Sequence, residues 1–196
     1  MKFNTKQRIA LFGTSADPPT IGHKIILEEL SKIYSFTITY ASNNPQKKHQ
    51  EDISIRSLLL KTLIEDLDNP KIIFNQKISS QWAIESIRKC KKIYAFNNLD
   101  FVIGSDLIAD IISWKNFDEI IREVNFFIIK REGYPIKSKT LTMIKNHEIN
   151  FKISTLNIPN ISSSTVRLNT NCSNLPKSLI DIVKKNNLYL STKLVE

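Results

Sequence analysis

The sequence predicts an α/β fold: a doubly wound parallel sheet with helices on both faces, in a single domain over residues 1–196. Three observations carry this. Short runs rich in β-branched and aromatic residues alternate with longer segments of helical periodicity, the pattern of parallel strands joined by right-handed crossovers. Runs such as Asn125 to Ile129 (NFFII) are apolar at consecutive positions, as strands covered on both faces are. The length, 196 residues, suits one hydrophobic core and would cramp two, and no internal repeat, low-complexity tract or linker divides it.

The elements follow in order. Arg8 to Phe12 (RIALF) is a buried-strand candidate that ends at Gly13, and a helical segment runs from about Pro19 to Ile33. Phe36 to Tyr40 is a second strand. Ser54 to Leu67 is helical, with Leu60, Leu63, Ile64 and Leu67 on one face. Lys71 to Phe74 is a third strand, Trp82 to Lys92 a helix, and Asp100 to Ile103 a fourth strand closed by Gly104. Asn125 to Ile129 and Phe151 to Ser154 are two more strands, and Pro176 to Asn186 is a helix opened by proline. Asn43 to Asp52 is the most polar, loop-like stretch. A Rossmann-like sheet of this kind takes its ligand beyond the carboxyl ends of its strands, which points to Gly13, Ala41 and Gly104.

Composition narrows the class. Hydrophobic residues at 41% and charged ones at 24% exclude a disordered or collagen-like chain. No apolar run is long enough to span a bilayer, and Met1 to Arg8 has no apolar signal-peptide core, so no membrane partner and a cytoplasmic location are expected. Cys90 and Cys172 lie far apart with no CxxC or His-rich partner, which argues against a disulfide framework or a metal site. The formal net charge of +9 suggests an anionic partner: nucleic acid, acidic lipid or phosphorylated small molecules. The lysines are spread along the chain, so biased genome composition accounts for the charge equally well.

The first chemical motif follows the first strand: Gly13-Thr14-Ser15-Ala16-Asp17-Pro18-Pro19-Thr20-Ile21-Gly22-His23. Small residues let backbone amides approach a phosphate, and a helix start adds free N–H groups. Thr20 and His23, three apart, share one helical face, and Gly22 between them leaves that face open. The second motif is Ile161-Ser162-Ser163-Ser164-Thr165-Val166-Arg167. Its hydroxyls suit an N-cap or an anion, and Arg167 suits several phosphate oxygens at once.

Thr20-Ile21-Gly22-His23 resembles the Thr/His-x-Gly-His signature of nucleotidyltransferases. The wider frame resembles the nicotinate mononucleotide adenylyltransferase family, whose loop usually reads Gly-Gly-Thr-Phe-Asp-Pro-x-His-x-Gly-His. Thr14 stands for the second Gly, Ala16 for Phe, and Thr20 for the first His. The second motif resembles that family's Ile-Ser-Ser-Thr-x-Ile-Arg, with Ser164 for Thr and Val166 for Ile. Gly104-Ser105-Asp106 with Trp114 resembles its Gly-Ala-Asp and Trp, and Asn44-Pro45-Gln46-Lys47-Lys48-His49 its Pro-Pro-His-Lys loop. Arg56 matches a family Arg for which a structural role is expected, and Leu188-Tyr189 is similar to the family's ending. Gln81 to Ile87 sits where the family has Ser-Tyr-Thr-x-Asp-Thr-Leu, with Glu85 for Asp and Ala83 for the Thr that helps read the nicotinate carboxylate.

The resemblance implies adenylyl transfer from ATP to nicotinate mononucleotide, giving deamido-NAD and pyrophosphate. It implies ATP and a pyridine mononucleotide as partners, no nucleic acid, and Mg²⁺ carried on the ATP phosphates. His23, Thr20, Lys47 and Arg167 would be catalytic, with His23 and Thr20 on the α-phosphate. Gly13, Thr14, Ser15, Gly22, Gly104, Asp106 and Ser162 to Ser164 would bind ATP. Asn44, Lys47, Trp82, Ala83 and Trp114 would bind the mononucleotide. Two other readings stay open: another phosphorylated acceptor such as nicotinamide mononucleotide, and a non-catalytic nucleotide- or RNA-binding relative. The sequence is silent on oligomeric state.

Overall fold

A computed structural model describes residues 7–96, 98–159, 161–169 and 172–189. The first six residues of the polar N-terminal stretch lie outside the described residues. The elements are β1 (Ile9–Thr14), α1 (Ile21–Ile33), β2 (Phe36–Ala41), α2 (Ile53–Leu67), β3 (Ile72–Phe74), α3 (Ala83–Tyr94), β4 (Leu99–Gly104), α4 (Phe117–Glu123), β5 (Asn125–Arg131), α5 (Ser138–Asn146), β6 (Phe151–Ile158), α6 (Ser163–Asn169) and α7 (Lys177–Lys185). The strands form one sheet in the order β3-β2-β1-β4-β5-β6, and every neighbouring pair is parallel. This is the doubly wound order, with its switch point between β1 and β4. No helix of the described residues is long and apolar enough to cross a membrane.

Both faces of the sheet are buried, as the consecutive apolar runs predict. On β1, Ile9 and Leu11 face one core and Ala10 and Phe12 the other. On β5, Phe126 and Ile128 divide from Phe127 and Ile129 in the same way. The first core is covered by α3, α4 and α5 through Ile84, Ile87, Ile120 and Ile144. The second is covered by α1, α2 and α7 through Leu27, Leu30, Leu60, Leu63, Leu179 and Val183. Tyr189, just past α7, is buried in this second core.

The amino ends of the strands are tied by a polar cluster. Asp100 of β4 accepts hydrogen bonds from Tyr34 Oη (2.6 Å), Arg8 Nη2 (2.9 Å) and Asn125 Nδ2 (3.1 Å). Burial pushes the Asp100 carboxyl up, but these three donors outweigh it and hold it below the usual carboxylate range. The opposite, carboxyl ends of the strands are left to the loops, and a cavity opens there.

Candidate active site

A cavity of about 620 Å³ lies over the carboxyl ends of β1, β2, β4 and β5. That size suits a nucleotide-sized ligand. Apart from Thr20, every residue expected to bind substrate lines it.

One end is built by the loop between β1 and α1. Thr20 is the N-cap of α1, and His23 stands at its third position, where a capping box usually carries Glu or Gln. The Thr20 amide donates to His23 Nδ1 at 3.0 Å, and Thr20 Oγ1 lies 2.9 Å from the same nitrogen. An amide can only donate, so Nδ1 accepts and the neutral ring carries its proton on Nε2. Nε2 is 2.8 Å from Thr14 Oγ1, which also accepts from the Ala16 amide at 3.3 Å. Burial, and then the positive charges of Arg131 and Lys47, lower the His23 pKa to about 4. His23 is therefore a neutral N–H donor at pH 7, fixed in tautomer and direction.

Thr20 stands behind this ring. It is fully buried (0% exposed) and does not line the cavity, because its hydroxyl and amide face the imidazole. It holds the His23 ring from behind, outside the cavity lining. The departures at Thr14 and Ala16 leave the loop intact. Thr14 supplies the partner of Nε2, and Ala16 takes a left-handed turn at φ 46° with its methyl in the second core.

The second motif closes over this loop from the far end of the chain. Arg167 Nη1 donates to the Asp17 carbonyl at 2.5 Å and lies 3.6 Å from its carboxylate. Ser163 Oγ donates to the Pro18 carbonyl at 2.8 Å. Ser162 Oγ accepts from the Thr165 amide at 3.1 Å and caps the short helix α6. Gly22 makes the close approach possible: a Cβ there would lie 3.2 Å from the Ile161 carbonyl oxygen. Thr14, Ser15, Gly22, His23, Ser162 to Ser164 and Arg167 therefore surround one end of the cavity. Ser15 Oγ is buried there without a partner among the described residues.

The loop after β2 forms a side wall. Asn44 Oδ1 accepts from the Gln46 amide at 2.9 Å, a local turn that sets Asn44 and Lys47 on the cavity. Arg56 is buried and donates to the carbonyls of Ser15 (2.6 Å), Ser42 (2.9 Å) and Glu51 (3.0 Å). Its role is structural, and it pins two site loops together.

The other end is aromatic. Trp82 caps α3, with Ala83 as the first helical residue. Trp114 packs edge-on against Phe101 of β4, with centroids 6.2 Å apart. Lys115 Nζ sits 4.7 Å above the Trp82 ring and gives this end a positive charge.

Between the two ends lie Gly13, Gly104, Asp106 and Arg131. Asp106 Oδ2 accepts from Arg131 Nη1 at 2.9 Å, while Oδ1 is buried without a partner among the described residues. A Cβ on Gly104 would collide with that oxygen. Among the described residues no cluster of three or more His, Cys, Asp or Glu could hold a metal ion. Sequence reasoning missed Arg131 and Lys115. Both had a signal: Arg131 ends the strand next to β4, at the ligand side of the sheet, and Lys115 follows Trp114.

This fold and site define the class. The Cytidylyltransferase-like family model matches residues 11–169, from β1 to the end of α6. The chain is 31% identical over 144 residues to the "Probable nicotinate-nucleotide adenylyltransferase" of Synechocystis sp., covering 68% of this chain and 72% of the relative. It is 30% identical over 196 residues to the protein of the same name in Clostridium tetani, covering 92% and 98%. A solved structure of Plasmodium falciparum nicotinic acid mononucleotide adenylyltransferase, complexed with NaAD, shares the fold with a TM-score of 0.75. That match has 23% identity and covers 93% of this chain and 97% of that one. The chain belongs to the Cytidylyltransferase-like family and, within it, to the nicotinate-nucleotide adenylyltransferases.

Proposed function

We propose that the chain transfers the adenylyl group of ATP to nicotinate mononucleotide, giving deamido-NAD and pyrophosphate, in the cytoplasm. The observation that carries this reading is the joining of two phosphate motifs by Arg167 and Asp17 at one end of a cavity whose other end is aromatic. A dinucleotide in the making needs both: a place for phosphates and a place for a heterocycle. The named relatives support the same reaction.

In the reaction an oxygen of the mononucleotide 5′-phosphate attacks the α-phosphorus of ATP in line. The new P–O bond forms as the bond to the β-phosphate breaks, and pyrophosphate leaves with the electron pair. The nucleophile is already an anion, so no general base is required. The His23 Nε2–H, which Thr14 Oγ1 accepts in the free site, donates in place of that contact to a non-bridging α-phosphate oxygen and stabilises charge as it grows, with the ring still held at Nδ1. Arg167 and the hydroxyls of Ser162 to Ser164 hold the β- and γ-phosphates, and Lys47 neutralises charge from the side wall. The unpartnered Asp106 Oδ1 suits a ribose hydroxyl as donor. Catalysis is positioning and charge stabilisation. Mg²⁺ fits as a passenger on the ATP phosphates, since the nearby Asp17 carboxylate already accepts from the amides of Gln50 and Glu51. The charge of Lys115 beside Trp82 favours an acceptor ring that bears a carboxylate.

The test is a substrate panel with ATP and Mg²⁺, reading dinucleotide by chromatography and released pyrophosphate. Turnover with nicotinate mononucleotide exceeding that with nicotinamide mononucleotide is expected. Preference for the amide would reassign the acceptor, and pyrophosphate release with neither would overturn the reading.

A further inference from the structure

His49 stands in the loop between β2 and α2, three residues beyond Gln46 and outside both phosphate motifs. The next two residues are fastened: the amides of Gln50 and Glu51 donate to the two oxygens of the Asp17 carboxylate, at 2.8 and 3.2 Å. The Asp17 carbonyl in turn accepts from Arg167. His49 is thereby held one residue from the junction of the two motifs, and its side chain lines the cavity. Its Nε2 is buried and has no hydrogen-bond partner among the described residues. Buried polar atoms normally have partners, and this one belongs to a residue on the cavity wall beside the phosphate motifs.

The surroundings specify the ligand's charge. Arg56, Lys47 and Arg167 all act on the ring electrostatically, against the single carboxylate of Asp17. Burial first, then these cations, lower the His49 pKa and favour its neutral form. Arg56 does not line the cavity: it is buried behind the wall, where its Nε and Nη1 donate to three backbone carbonyls. Arg167 already donates to the Asp17 carbonyl and to Ser164 Oγ. A diphosphate end offers more acceptor oxygens than the remaining Arg167 N–H groups fill, and His49 supplies the next donor.

We propose that His49 is a binding residue for the β- and γ-phosphates of ATP and for the departing pyrophosphate. This rests on the adenylyl-transfer reading above.

The test uses the full chain and His49→Ala and His49→Gln variants. His49→Ala should raise the KM for ATP and the inhibition constant of pyrophosphate about tenfold, as losing one hydrogen bond to a charged group does. The KM for the mononucleotide should stay unchanged, and His49→Gln, which keeps an N–H donor, should recover part of the loss. Direct calorimetric binding of inorganic pyrophosphate to wild type and variants reads the same contact without turnover. Weaker pyrophosphate binding in His49→Ala, in a protein that transfers no adenylyl group, would keep the phosphate contact and sink the reaction. Normal turnover with unchanged ATP and pyrophosphate constants would sink the contact alone. Should the variants fail to fold, the His49 ring resonances of the wild-type chain, followed by NMR, must shift on adding pyrophosphate. Resonances that stay in place overturn the proposal.

Discussion

Arg167 Nη1 donates to the backbone carbonyl of Asp17 at 2.5 Å, across 150 residues of chain. The contact fixes the distance between the loop that would meet the α-phosphate and the helix that would meet the β- and γ-phosphates. A guanidinium is suited to this double duty, because it has N–H groups left for a ligand after one has been spent on the protein.

Arg167→Lys should therefore fold but lose both functions of the fork. An ammonium presents its N–H groups from one atom and lacks the fork by which Nη1 reaches the Asp17 carbonyl while Nη2 points elsewhere. We expect kcat/KM for ATP to fall on the order of a hundredfold, the scale for losing a charge-stabilising donor. Steady-state kinetics at saturating mononucleotide reads it. Near-normal kcat/KM would show that the fork is not needed.

His23 and Thr20 should separate a contacting residue from a positioning one. His23→Ala should lose on the order of a hundred- to a thousandfold in kcat. Thr20→Ala should cost about 1 kcal/mol of stability as a lost N-cap, with a smaller fall in kcat because the ring is less firmly oriented. Thr20→Ser, which keeps the hydroxyl, should restore both. Thermal melts and kcat on the same preparations measure the split.

The pH behaviour of His23 follows from its lowered pKa of about 4, against about 6.5 in the unfolded chain. Between those values the unfolded state binds the proton and the folded state does not. The His23 contribution to stability therefore falls as pH drops from about 6.5 to about 4, and levels off below. NMR titration of the His23 ring in the free enzyme should show a midpoint near 4 and no change between pH 6 and 8. A midpoint near 6.5 would remove the neutral-donor role.

Lys115 bears on the choice of acceptor. Lys115→Gln removes the charge above Trp82 while keeping a polar side chain. We expect a higher KM for nicotinate mononucleotide, an unchanged KM for nicotinamide mononucleotide and an unchanged KM for ATP. The ratio of kcat/KM for the two acceptors is the measurement.

Much of the fold is visible in the linear order of residues. Strands β1, β4 and β5 appear as short apolar runs, because a strand buried on both faces leaves a signal that needs no partner to be seen, whereas β6 at the sheet edge keeps Lys152 and Ile153 exposed. The helices α4 and α5 escape that reading. The first spans only Phe117–Glu123 and starts from Asn116 in a left-handed conformation, and the second starts at Lys137 with no capping side chain. Strand β6 runs on past Ser154 to Ile158, at the sheet edge, where a register shift against β5 lets polar residues in. Its extent depends on the neighbouring strand and not on its own periodicity.

The sequence by itself determined the doubly wound class, the phosphate character of two motifs and the resemblance to nucleotidyltransferases, since each lies in a contiguous stretch. Tertiary structure alone decided that Thr20 supports His23 from behind, that Arg167 reaches Asp17, and that His49, Arg131 and Lys115 face the same cavity. Those relations depend on which strand ends the crossovers bring side by side. Residues far apart in the chain meet only when a shared core fixes the loops above it, and no local pattern of residue types encodes such a meeting.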